Sequence, residues 1–291
     1  MHMRKWLPPG QASRLFGRAV AAAARVAGRT GRGRPRSAAA AAATARGALP
    51  GRPAGRVLAL VLLPLALVAC GRDAPPGGDG GALVLWYEQY EPGIEPYTTR
   101  ITVTPQFLRM DDGIDDGDFV LLDRASGDVY SVAHGERRIL VVHRRPVMGE
   151  SPIPLRIDAR RHEEPDAPAI EGHRPVRYEL LVNDRVCSQV VAVPGLLPEA
   201  VRALREFRRS LAGQHSDDLP KTPVEYLDPC FLSMHVFSPG RNLQYGIPLR
   251  EWDEQGAGRA LLRYERGVTP GEGLFELPAD YERSTVPALA G

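Results

Sequence analysis

From residue 82 onward apolar residues come in short runs closed by glycine, aspartate or serine, and the rhythm turns helical only around residue 198. ALVLWYEQY and TTRITVTPQFLRM read as strands, with Ile101 and Val103 alternating against Thr and Arg. Asp112-Gly113 and Asp116-Gly117 mark turns before a three-strand meander at 119–122, 129–132 and 139–142, with further turns at Ala125-Ser126-Gly127 and Gly135-Glu136. Strands 119–122 and 139–142 are apolar at every position. A sheet with one face in water would alternate, so both faces are covered or one lines a cavity. Residues 144–175, rich in Pro and charge, read mainly as a long loop inserted in the domain, and excursions of that length are uncommon without a function. A hairpin follows, 178–182 returning through Asn183-Asp184 to 186–193. A helix over 198–213 then has Pro198 in its first turn, Gly213 near its end, and a buried stripe of Val201, Leu204, Phe207 and Leu211. A second short helix starts at Asp228-Pro229 and sets Cys230, Phe231, Met234 and Phe237 at helical spacing; strands at 247–252, 260–266 and 274–277 close the chain. The pattern is that of an α+β domain, a curved, mostly antiparallel sheet packed on two or so helices.

The most apolar stretch obeys a different logic. Residues 57–69 could cover only about two-thirds of a ~30 Å hydrocarbon layer at ~1.5 Å per residue. The length also suits a buried helix, but Pro64 inside it and GGDGG after it weigh against that. Arg46, Arg52 and Arg56 ahead of the run, and small residues behind it, have the layout of a secretory signal. Leu67-Val68-Ala69-Cys70, followed by Gly71, resembles the bacterial lipobox. The resemblance implies a Cys70 thioether carrying diacylglycerol, loss of everything before it, and a membrane partner through the lipid. Gly71 in place of Asp further implies sorting to the outer membrane, facing the periplasm. With Cys70 assigned to lipid, Cys187 and Cys230 form an even pair in an oxidising compartment, and a disulfide between them is expected; two buried free thiols are the alternative.

Charge divides the chain at the same place. Residues 1–69 hold twelve Arg or Lys and no acid, whereas 25 basic residues face 35 acidic ones from Cys70 onward, a net of −10. An acidic body of this kind lacks the clustered cations a phosphate-tracking surface needs, so nucleic acid is not an expected partner. The Arg-, Ala- and Gly-rich leader, 1–56, cannot offset its ordering entropy and reads as disordered; it is either a long leader or sequence upstream of a later start near Arg46 or Arg52. Residues 70–81 read as a lipidated tether, and 82–285 as one domain.

FLRMDD, FVLLDRASGDVYSV, the Cys-bearing hairpin, YGIPLREW and LFELPADY resemble the bacterial lipoproteins related to the LolA/LolB lipoprotein-carrier fold. That resemblance, over about residues 85–285, implies a half-open barrel with helices plugging an apolar cavity that holds acyl chains. On this chain the cavity would be lined by Val120, Leu122, Tyr130, Val132, Phe207, Phe231, Met234 and Phe237. The same stripes also suit an ordinary core.

No catalytic set emerges. There is no G-x-S-x-G elbow, no Walker or dinucleotide glycine pattern and no H-E-x-x-H, so no catalytic residue, metal or cofactor is assigned. His162, Glu163, Glu164, Asp166 and His173 gather ligand-type side chains in a Pro-rich stretch but read as solvated charge. Asp111, Asp112, Asp115, Asp116 and Asp118 read as an acidic turn, since Ile114 and the missing distal Glu break the EF-hand order. His235 reads as a structural histidine. Three functions are weighed: a binding module for an acyl chain, lipoprotein or other apolar ligand; an interaction protein contacting an envelope partner through a sheet edge or the 144–175 insert; and a hydrolase.

Overall fold

The structure, a computed structural model, describes residues 81–217 and 219–285. The expected leader, the apolar run, Cys70 and the tether up to residue 80 lie outside the described residues.

A first meander comprises β1 (Ala82–Glu91), β2 (Ile94–Val103), β3 (Phe107–Asp111), β4 (Phe119–Asp123), β5 (Val129–Ala133) and β6 (Arg138–Val142). A second is made of β7 (Ile157–Glu163), β8 (Val176–Val182), β9 (Arg185–Val193), β10 (Ile247–Asp253) and β11 (Gly258–Val268), and β12 (Glu282–Thr285) ends the described chain. All twelve join one open sheet in the order β12-β6-β5-β4-β3-β2-β1-β11-β10-β9-β8-β7. The meanders are joined where β1 pairs antiparallel with β11, and only β12 runs parallel to its neighbour, β6. The sheet does not close into a barrel.

The doubly apolar strands have both faces covered. Val120 and Leu122 face the main core, where β1–β3 meet Leu204 and Leu211 of the long helix α1 (Pro198–Ser216). On the opposite face Phe119, Leu121, Val132 and Ile139 are covered by Phe275, Leu277 and Tyr281. Residues 274–277, expected as a strand, instead form turns and coil. Their apolar side chains serve as a cover laid on the sheet, with Phe275 stacked on Phe107 at 5.4 Å, and pairing resumes only at β12.

The 144–175 insert is mainly loop, as expected, but it contains β7, which pairs along its length with β8. The expected turn at Asn183-Asp184 is present with both residues at positive φ, 51° and 66°, the geometry of a two-residue hairpin. Helix α1 runs three residues past the expected end because Gly213 does not cap it. A Cβ at Gly213 would stand 2.3 Å from the Arg145 carbonyl oxygen, so the glycine permits the close approach of the chain after β6.

The second helix begins as expected. Asp228 accepts from the Cys230 amide at 3.0 Å and Pro229 opens a turn, α2 (Pro229–Phe231). It then widens into a π-helical segment, Leu232–Phe237, closed by Ser238 N to Ser233 O at 2.9 Å. The wider turn changes which residues face inward: Cys230, Leu232, Ser233 and Val236 are buried, while Phe231, Met234 and Phe237 are only half-buried. Cys187 on β9 and Cys230 form a disulfide, with Cα atoms 5.3 Å apart.

Candidate functional site: an arginine-lined groove on the long helix

The eight residues expected around an acyl chain do not line one cavity. Val120, Leu122 and Phe207 pack in the core under α1; Tyr130 and Val132 lie on the other face of the sheet; Met234 packs on Leu180, Val190 and Ala192. Phe231 stands apart, in ring contact with His215 at 5.7 Å and His235 at 5.0 Å. The sheet's two-sidedness separates these positions: residues at odd and even places of one strand point to opposite faces, and each face has its own cover.

An opening occurs elsewhere. A groove of about 390 Å³ runs between α1 and the 3-10 turn Arg241–Tyr245. Its floor is set by Gly246, at φ 122°, where a Cβ would stand 2.2 Å from the Val193 carbonyl oxygen; only glycine lets the turn sit this close to the end of β9. Pro198, Val201 and Tyr245 contribute apolar wall, and Arg202, Arg205 and Arg209 contribute charge. The three arginines stand at i, i+3 and i+7, so they share one face of the helix and span about 10 Å along its axis.

The groove's charge balance is unusual within so acidic a body. Its one carboxylate, Glu206, is held by Arg124, Nε at 2.6 Å and Nη2 at 3.2 Å, and Arg124 also donates to the Thr104 carbonyl at 2.6 Å. Arg208, on the helix flank, faces a different acid: Glu251, 3.8 Å away, which also takes Arg259 at 2.7 Å and a hydrogen bond from Asn242. Burial alone would raise the Glu251 carboxyl, but Arg259, Arg208 and the Asn242 bond outweigh it and hold it below the usual range. Among the described residues no ion pair or hydrogen bond engages the guanidinium groups of Arg202, Arg205 and Arg209.

A second groove of about 370 Å³ lies on the other side of Gln244 and Tyr245, beside β7. It is floored by Arg241, 6% exposed, which donates to the carbonyls of Leu181 at 3.0 Å and Asp158 at 2.5 Å and to the Ser233 hydroxyl at 3.3 Å. Its hydrogen-bond partners are dipoles, and burial lowers its pKa from the usual arginine value despite the opposing charge of nearby Asp158. Tyr245 stacks on Tyr178 at 3.9 Å, fixing the wall between the two grooves.

The remaining candidates are committed elsewhere. Glu163 pairs with Arg161, Glu164 with Arg177, and His162 with Glu179, while the His173 ring abuts Gly195. Asp111 is buried under Arg100 and Arg109, Asp112 caps the Ile114 amide, Asp115 takes Arg100, and Asp118 accepts from the His134 amide. Among the described residues no group of three His, Cys, Asp or Glu side chains is placed to hold a metal ion, and no helix is long and apolar enough to cross a membrane. His235 lies 5.8 Å from His215, and burial, with the Arg208 charge, lowers the two to about 3 and about 4.

No family model matches this sequence, and no curated protein does either. Solved structures similar to it include an uncharacterized conserved protein from Thermus thermophilus, 13% identical with a TM-score of 0.36 over 71% of this chain and 91% of that one. PNGF-II, in a C2 space group, is 8% identical with a TM-score of 0.36 over 72% of this chain and 31% of that one. The chain thus spans about a third of PNGF-II. Likenesses this distant carry no argument about what the chain does.

Proposed function

We propose that this chain is an envelope lipoprotein, anchored through Cys70 in the outer membrane on its periplasmic side, whose folded domain is a non-catalytic binding and interaction module. The observation that carries the reading is the Cys187–Cys230 disulfide: it suits an oxidising compartment and leaves Cys70 as the one remaining cysteine, placed at the end of the lipobox-like run. The first strand begins at Ala82, so eleven residues would tether the domain within roughly 40 Å of the bilayer.

Kinship to the LolA/LolB carriers is part of this proposal. A ladder that is antiparallel from β6 to β7, with its long helix packed on one face, supports a curved half-barrel of that kind. The acyl-chain ligand is not carried forward, because the residues expected to hold it are divided between separate clusters. An interaction role is favoured instead by the two grooves flanking Tyr245 and by β7, a sheet edge within the insert.

Intact-mass analysis of the membrane-extracted protein, with and without reductant, tests the reading. The expected species starts at Cys70, carries acyl mass and gains a small mass on reduction. Recovery of a chain that retains its arginine-rich beginning and has no added lipid would overturn it.

A further inference from the structure

We propose that the groove along α1 is a binding site for an anionic ligand that carries at least two phosphate or carboxylate groups, seated on Arg202, Arg205 and Arg209 with an apolar portion against Val201 and Tyr245. The inference goes beyond the lipoprotein reading and does not depend on it.

Three observations converge on it. The first is the ladder itself: guanidinium groups at i, i+3 and i+7 repel one another on a helix face, yet they are gathered on the wall of a concavity of about 390 Å³. The second is the withdrawal of their natural counter-charge. Glu206 lies four residues after Arg202 and three before Arg209, within helical pairing range of both, but Arg124 from the end of β4 occupies both of its oxygens. In a body with an excess of ten acidic residues, three arginines in one groove that have no ion pair or hydrogen bond among the described residues are a local reversal of sign. The third is Arg241, buried behind the Gln244–Tyr245 wall, which hydrogen-bonds only backbone carbonyls and a hydroxyl and so adds a cation from the protein side that the nearby Asp158 charge offsets in part.

The chemistry selects the ligand class. Each guanidinium offers a planar fork that matches a phosphate or carboxylate in two-pronged fashion. A single small anion could neutralise one or two members of a ladder about 10 Å long, whereas two or more oxyanion groups on one molecule would engage all three. The anion could be a soluble molecule or the headgroups of an anionic membrane, and the test separates these sources.

Inorganic tripolyphosphate and vesicles of phosphatidylglycerol serve as probes for the full chain, with phosphatidylcholine vesicles as the neutral comparison. The readout is hydrogen exchange of the segments 198–213 and 241–246, which localises binding and keeps the basic leader from counting. Tripolyphosphate is expected to protect both segments, with an affinity that falls as salt rises and drops at least tenfold in the Arg202→Gln/Arg205→Gln/Arg209→Gln variant. These exposed and half-buried substitutions leave the fold intact, as circular dichroism would check. Protection by phosphatidylglycerol that is lost in the same variant identifies headgroups as the source; protection by tripolyphosphate alone identifies a soluble anion. Absence of protection by either probe, or unchanged affinity in the triple variant, overturns the proposal.

Discussion

Arg124 grips Glu206 across the interface between sheet and helix, Nε to Oε2 at 2.6 Å and Nη2 to Oε1 at 3.2 Å, while its third nitrogen reaches the Thr104 carbonyl. Both partners are mostly covered, so the pair is better placed than an open surface ion pair. Arg124→Ala is expected to lower the urea midpoint by an amount equivalent to about 1–2 kcal/mol. It also frees Glu206 to neutralise a neighbouring arginine, so tripolyphosphate affinity should fall severalfold. A variant with unchanged affinity would show that Glu206 does not control the groove's charge.

Arg109 is 2% exposed and meets Asp111 at 2.6 Å, its guanidinium 3.9 Å above the Phe119 ring and its Nη2 on the Asp115 carbonyl at 2.7 Å. Asp111 also receives Arg100 at 2.8 and 2.9 Å. Removing one member leaves a buried charge without its partner, so Asp111→Ala should cost about 3–5 kcal/mol in chemical denaturation. Arg109→Met together with Asp111→Leu should recover part of that loss. If the double variant proved as unstable as the sum of the single ones, the pair would not be acting as a unit.

Acidification should weaken the fold through the His215–His235 pair. Both are held neutral, first by burial and then by the Arg208 charge, at about 4 and about 3. Their ordinary value lies near 6.5, so the unfolded chain takes up protons that the folded one refuses as pH falls from there. Stability is therefore full above pH 6.5 and declines below it, by at most about 1.4 kcal/mol per pH unit for each histidine. Glu171, held down to about 2 by Arg266 and Tyr264, contributes stability only above the ordinary carboxylate range and loses it at lower pH. The window between pH 6.5 and 4.5 thus reports the histidines. His235→Phe should flatten the stability profile there, and a profile as steep as the parent's would assign the loss to other groups.

The Cys187–Cys230 bridge closes a separation of 43 residues that includes α1. Reductant should lower the thermal midpoint of the parent protein, by up to roughly 4 kcal/mol of stability in the chain-entropy account. The Cys187→Ala/Cys230→Ala variant should start at the lower midpoint and show no response to reductant. A reductant response that survives in the variant would point to chemistry other than this bridge.

Local signals made much of this fold legible. The meander of β4–β6 follows from apolar runs separated by turn residues, the β8–β9 hairpin from Asn183-Asp184, and the start of α2 from an aspartate followed by proline. β7 escaped because IDARRHE has charges on both faces: paired on one edge and largely exposed, it needs no alternation, and its backbone bonds to β8 leave no trace in side-chain pattern. Leu274, Phe275 and Leu277 misled for the opposite reason, since an apolar run states that residues are covered and not that they pair. The π-helical widening after Phe231 shifted the inward register, which no spacing rule of 3.6 could anticipate. The groove itself had a readable half, the arginines of α1 at helical intervals. The other half, Arg124 drawing Glu206 aside from 82 residues away, exists only in the tertiary contact.

Among the described residues the sheet begins at Ala82, and β1 stands seventh in the twelve-strand order, laced to β2 on one side and β11 on the other. A pull applied through the N-terminus would therefore load two long ladders in shear at the middle of the sheet, rather than unzip an edge strand one bond at a time. Such a layout suits a body held against flow or drag by its leading end.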